Sequence, residues 1–131
     1  MSSRFRDERG SVSILIAVLG LALLMATGLA VDGGRKLGAL SEARDIADNA
    51  ARAGAQEVDV DAYRATGVPT INPAAATHRA NAYLATTGHT GTVVVTGTTV
   101  TVTVTITVNT TFLPVPMSAS ATESATAIAD T

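Results

Sequence analysis

"RGSVSILIAVLGLALLMATGLAVDGGRKLGAL", residues 9–40, decides how the rest of the chain is read. From Ser11 to Val31 it holds 21 residues and no charge. At about 1.5 Å of rise per residue, a helix of that length spans roughly 30 Å, the thickness of a bilayer's hydrocarbon core. Arg4, Arg6 and Arg9 precede the run, with Asp7 and Glu8 among them, and Arg35, Lys36, Arg44 and Arg52 follow it. Acidic residues count little toward orientation, so the basic leader gives a weak vote for an N-terminus in the cytoplasm. A second reading competes with the anchor. Gly28-Leu29-Ala30 has the small-x-small form of a signal-peptide site, with Val31 as the first mature residue. Secretory h-regions are typically about 7–15 residues, shorter than this run, which favours retention.

Beyond the run, Asp32-Gly33-Gly34-Arg35 is a short polar break. Two glycines cost about 1 kcal/mol each inside a helix, so a bend is expected there. Helical periodicity then resumes. Leu37, Leu40, Ala43, Ala47, Ala50, Ala51, Gly54 and Val58 fall mostly at steps of three and four, and Glu42, Asp45, Asn49, Arg52 and Gln56 take the opposite face. Asp32 with Lys36, and Asp48 with Arg52, are spaced to pair across one turn. The segment from Ser11 to Val58 therefore reads as one long, kinked helix, lipid-soluble in its first half and amphipathic in its second. Its stripe is mostly alanine, which lets another backbone approach closely. That stripe either covers this protein's own sheet or packs against neighbouring copies.

The second half of the chain changes period. Glu57 to Pro69 reads as a mixed stretch ending in the turn signal Thr66-Gly67-Val68-Pro69. Asn72 followed by Pro73 marks a helix start, and the helix is expected to run to about Thr86 and stop at Gly88. Within Thr92 to Val108 the period becomes two: Val100, Val102, Val104, Ile106 and Val108 alternate without a break with Thr99, Thr101, Thr103, Thr105 and Thr107. Gly97-Thr98 suits a two-residue type II′ hairpin turn, which pairs Val95 with Val100 and Val93 with Val102. Phe112-Leu113-Pro114-Val115-Pro116 is a crossing loop, because prolines exclude it from a central strand. Met117, Ala119, Ala121, Ala125, Ala127 and Ala129 then alternate with small hydroxyl residues as a third strand, interrupted on the apolar side by Glu123. A strand reading TVTVTVTITV is sticky at a free edge, so either the third strand covers it or another subunit does.

Composition narrows the chemistry. The chain has 131 residues, 47% hydrophobic but only 3% aromatic, and a formal net charge of -2. That charge argues against nucleic acid as the main partner. The absence of cysteine excludes disulfides, thiolate metal sites and thiol nucleophiles. His78 and His89 stand 11 residues apart without a ligand-spaced carboxylate, which favours structural roles over metal binding. Asp59 and Asp61 in "EVDVDAY" lack the glycine and terminal Glu of an EF-hand, so a solvated polar segment is the better reading. No catalytic, cofactor-binding or metal-binding residue is assigned. Of the 26 residues from Thr86 to Thr111, 13 are threonine, which fits the wet face of a sheet or, on an envelope protein, O-glycosylation.

Arg9-Gly10-Ser11-Val12 opening an apolar helix, followed by "AVDGGRKLGALSEARDIADNAARAGAQEVD" (residues 30–59), resembles the N-terminal region of TadG-like and TadE-like proteins of the bacterial tight-adherence (Flp) pilus machinery. Arg9, Gly10, Val12, Asp32, Gly34, Arg35, Ala47, Asp48, Ala50, Ala51, Ala53, Gly54 and Ala55 carry the resemblance, which is strongest over residues 8–57. Family members processed like prepilins have a Glu five residues after the cleaved Gly. Here that position is Leu15, so a cut between Gly10 and Ser11 is not what the pattern implies, and the uncleaved TadG-like variant fits better. The resemblance implies a pilin-like plan: a basic leader, a hydrophobic helix and a small exported domain. It also implies a structural, non-enzymatic assembly role.

The expected architecture is α+β: a leader (1–10), a transmembrane helix (11–31), an amphipathic extension (32–58), and a small domain (59–131) with one short helix and a three-stranded antiparallel sheet. The expected setting is the cell membrane, crossed once, with the C-terminal domain outside the cytoplasm. The bilayer and other pilus or secretion-system subunits are the expected partners, with no small-molecule substrate. The alternative is a secreted, signal-cleaved surface or adhesion domain.

Overall fold

A computed structural model describes residues 4–127, with side chains from residue 10 onward. The first element, α1 (Arg4–Ala55), is a single helix of 52 residues. It remains helical through Gly33-Gly34, the polar break in the sequence, as one continuous element. The cost of the two glycines is small beside the long runs of good helix formers on either side. The helix stops short of Val58, which instead forms an isolated antiparallel bridge with Ile71. The amide of Asp59 donates to Thr70 O at 2.8 Å and that of Asn72 to Glu57 O at 3.0 Å. This clamp closes an excursion holding a helix that the sequence reading treats as irregular, α2 (Val60–Thr66). Asp59 is its N-cap, accepting from the Ala62 amide at 3.0 Å, so this carboxylate is a helix cap within the stretch read as a solvated polar segment.

The next helix, α3 (Pro73–Thr87), has Asn72 as N-cap, proline in its first turn and Gly88 as its C-cap, as the residue pattern demands. Three strands follow: β1 (Gly91–Thr96), β2 (Thr99–Val108) and β3 (Met117–Thr126). They form one antiparallel sheet in the order β1-β2-β3. Val95 faces Val100 and Val93 faces Val102, the register that a two-residue Gly97-Thr98 turn imposes. Gly97 has φ 60° and no other residue type has positive φ among the described residues, which is the type II′ geometry. The valine/threonine strand β2 is central. β3 pairs with its whole length and β1 with Thr99 to Val104, so within this chain the third strand covers one edge of β2 completely. Ala129, read as part of the third strand, lies outside the described residues.

Both longer helices lie on one face of the sheet. Ala43, Ile46, Ala47, Ala50 and Ala51 of α1, Ala76, Ala80 and Leu84 of α3, Val100, Val102 and Val104 of β2, and Ala121 of β3 form one buried cluster. The central strand contributes valines and the helices mostly alanine, with Ile46 and Leu84 the larger helix residues and Ala121 a small one on the sheet. Alanine removes little apolar area, but it lets the backbones close in, so the β2 valines, flanked by β1 and β3 and covered by α1, are fully buried. The outer face of the sheet is a ladder of hydroxyls. Thr99 pairs with Thr126, Thr101 with Ser124, Thr103 with Thr122 and Thr105 with Ser120, at 2.8–3.1 Å.

Candidate functional site

Two surfaces on α1 stand out, and they meet at Asp32. The first is the apolar half of the helix. Its most apolar 18-residue window has a mean hydropathy of 2.7 and only 6% of it is buried in the fold, so it is long and apolar enough to cross a membrane. Ile14, Leu15, Ile16, Leu21, Leu24 and Met25 are each about two-thirds exposed, though a folded aqueous domain would hide them. The hydroxyl of Thr27 donates to Leu23 O at 2.8 Å, which satisfies it without water.

The second surface is where the β2–β3 loop reaches the helix. Asp32 is 2% exposed. Its carboxylate accepts from the amides of Thr111 and Phe112, one on each oxygen, both at 3.0 Å. The Thr111 amide does most to hold the carboxyl below its ordinary pKa. Burial opposes it, and the Phe112 and Leu113 amides and the Arg35 charge add to the lowering. Arg35 lies 3.9 Å from Asp32 and donates to the Thr111 hydroxyl. Asp32 therefore pairs with Arg35 and the loop rather than with Lys36, the partner that spacing alone suggests. One turn below, Gly28 is buried beneath the Phe112 ring: a Cβ at Gly28 would lie 2.6 Å from Phe112 Cγ. Hydrogen bonds and ring packing together clasp the far end of the sheet to the helix at the top of its apolar half. Residues almost 80 apart meet there, so no local pattern announces the clasp. The one available signal was a carboxylate next to an uncharged helical run, a group that needs a partner when it is buried.

The helix-face residues singled out in the sequence divide by position. Ala43, Ala47, Ala50 and Ala51 are fully buried against the sheet and α3, Gly54 is buried with them, and Leu40 packs at the edge of the cluster. Leu37 points away from the domain, 69% exposed, and Val58 lies beyond the helix, 37% exposed. Leu37 is exposed because the domain reaches the helix from the face of Asp32, Ala39 and Ala43. Ile46, which the stripe as read from the sequence omits, is buried among the alanines. The pairing of Asp48 with Arg52 forms at 2.9 Å on the exposed face. Of the processing positions, Gly10, Ser11, Ala30 and Val31 all lie within α1 and are exposed.

His89 is half-buried, with Nε2 3.5 Å from Glu42 Oε1, while His78 is exposed. Among the described residues, no group of three or more His, Asp or Glu side chains is placed to hold a metal ion.

These features define the class of protein: a small α+β domain continuous with one helix long and apolar enough to cross a bilayer. A family model, Tad, described as "Putative Flp pilus-assembly TadE/G-like", matches residues 10–57. The match begins at the apolar run and ends two residues past α1, so it takes in Gly28, Asp32 and the alanine stripe, while α2, α3 and the sheet lie outside it. No curated protein and no solved structure matches the chain.

Proposed function

We propose that this protein is a membrane-anchored structural component of Flp pilus assembly, without catalytic activity, that places a small domain on the outer side of the cell membrane. The observation that carries the reading is the largely unburied apolar window of α1 inside the segment that matches the Tad family. In this reading residues 11–31 cross the membrane once, the basic leader stays in the cytoplasm, and residues from Asp32 onward are exported. The alanine stripe serves this chain's own fold. The outward side of α1, with Leu37 and the lipid-facing residues, is then the surface left for other pilus or secretion-system subunits.

The clasp also favours retention of the anchor over a signal cut after Ala30. Phe112 packs on Gly28, which such a cut would remove, and α1 continues without interruption across Ala30-Val31. Intact-mass measurement of the protein extracted from membranes tests the reading. A chain beginning near Met1 is expected. A chain beginning at Val31 and recovered in the soluble exported fraction would overturn the anchor, and one beginning at Ser11 would assign prepilin-type processing instead. Co-purification with other pilus subunits, lost when the Leu37 side of the helix is made charged, tests the assembly role.

A further inference from the structure

The β2–β3 loop exposes a group of large apolar side chains beside the apolar half of α1. Phe112 is 60% exposed, Leu113 39% and Val115 64%, although all three lie on a short surface loop. No charged residue occurs from Val104 to Thr122. The loop's height on the molecule is fixed by Gly28, which lies three residues inside the uncharged run, about 4.5 Å below Val31 at 1.5 Å per residue. Its apolar surface is therefore continuous with that of the helix.

The backbone of the loop is suited to a dry setting. The amides of Thr111 and Phe112 are held by the Asp32 carboxylate. Pro114 and Pro116 have no amide hydrogen to satisfy. The Thr110 hydroxyl is shared between the carbonyls of Leu113, at 2.5 Å, and Val115, at 3.0 Å. A surface loop in water needs none of these internal partners. A loop entering the acyl region needs them, because each unsatisfied backbone group is costly there. Arg35 stands just above, where a guanidinium can extend to the headgroups.

We propose that the loop from Thr110 to Pro116 is a second membrane-contacting element, which inserts Phe112, Leu113 and Val115 into the leaflet beside the exit of α1. The occupant of this surface is lipid. The depth required is similar to the roughly 5–10 Å reached by interfacial apolar elements. With the helix and the loop both seated, the domain is fixed at two points and its tilt over the membrane is set. The proposal rests on the reading that residues 11–31 span the bilayer.

The cysteine-free chain permits a direct test. Full-length protein carrying Leu113→Cys, Val115→Cys, Val18→Cys or Thr103→Cys, each labelled with an environment-sensitive fluorophore, is reconstituted into phosphatidylcholine vesicles. Quenching by shallow spin-labelled lipid is compared with quenching by aqueous iodide. Labels at 113 and 115 are expected to be quenched several-fold more by the lipid than the label at 103, and several-fold less by iodide. If both loop labels behave like position 103 while position 18 is reached only from lipid, the span stands and the insertion is overturned. Loop labels shielded from both quenchers would assign the surface to protein and overturn it equally. If position 18 is itself quenched by iodide, the span fails and the insertion fails with it.

Discussion

Asp32 is a buried carboxylate at the point where an uncharged helix gives way to a folded domain, and its two oxygens each hold one loop amide. Its pKa is lowered from 3.8, so the unfolded chain takes up the proton first as pH falls. The stabilisation by the clasp is complete above the unfolded carboxyl's pKa and is lost as pH drops below it through the folded value. Amide exchange at Thr111 and Phe112 is therefore expected to quicken relative to the sheet as pH falls below the ordinary carboxyl value and through the lower value that the folded Asp32 holds. In Asp32→Asn those amides are expected to exchange faster at neutral pH, with that acid step abolished. Gly28 gives a separate prediction. Alanine gains about 0.5–1 kcal/mol over glycine inside a helix. Overpacking against a fixed ring costs about 1–3 kcal/mol. Gly28→Ala is thus expected to destabilise the native chain and to be neutral or stabilising when combined with Phe112→Ala, as measured by thermal unfolding in detergent.

At the scale of elements, the fold depends on the alanine stripe of α1 lying close against the valines of β2. Val102→Ala removes two methyl groups from a fully buried site, and the loss expected is about 2 kcal/mol. Ala47→Leu forces a larger side chain between α1 and its neighbours and is expected to cost about 1–3 kcal/mol. Leu37→Ala, on the exposed side of the same helix, is expected to change stability by less than about 0.5 kcal/mol. Chemical denaturation of the three variants checks this ordering, and a large effect at Leu37 would contradict the placement of the domain. Most of these elements are legible in the sequence. The Asn72-Pro73 start, the Gly97-Thr98 turn and the period-two valines each carry local chemistry that specifies one geometry. The excursion was not legible in the same way. Asp59 and Gly67 cap a helix of 7 residues, too short to show periodicity, and its position depends on the bridge between Val58 and Ile71.

For the whole molecule, the decisive feature is that the exposed half of α1 is the most apolar part of the chain. Water does not tolerate such a surface, so the molecule needs a bilayer or an assembly around it. Leu19 and Leu23 are 59% and 61% exposed and lie near the middle of the run. Replacing both with Asp adds about 5–7 kcal/mol to the cost of insertion, at about 2.5–3.5 kcal/mol for each charge at the centre of a span. The double variant is expected to shift from the carbonate-resistant membrane fraction to the soluble or degraded pool. Leu37→Asp is expected to remain in the membrane.

The sequence by itself determined the anchor-like helix, the hairpin register, the capped α3 and the absence of cysteine chemistry, because each depends on residues close together along the chain. Only the tertiary structure decided which side of the alanine stripe is buried, that β2 is the central strand, and that Asp32 and Gly28 receive the β2–β3 loop. Those outcomes join residues tens of positions apart, and such contacts are fixed by how the whole core closes rather than by any local pattern.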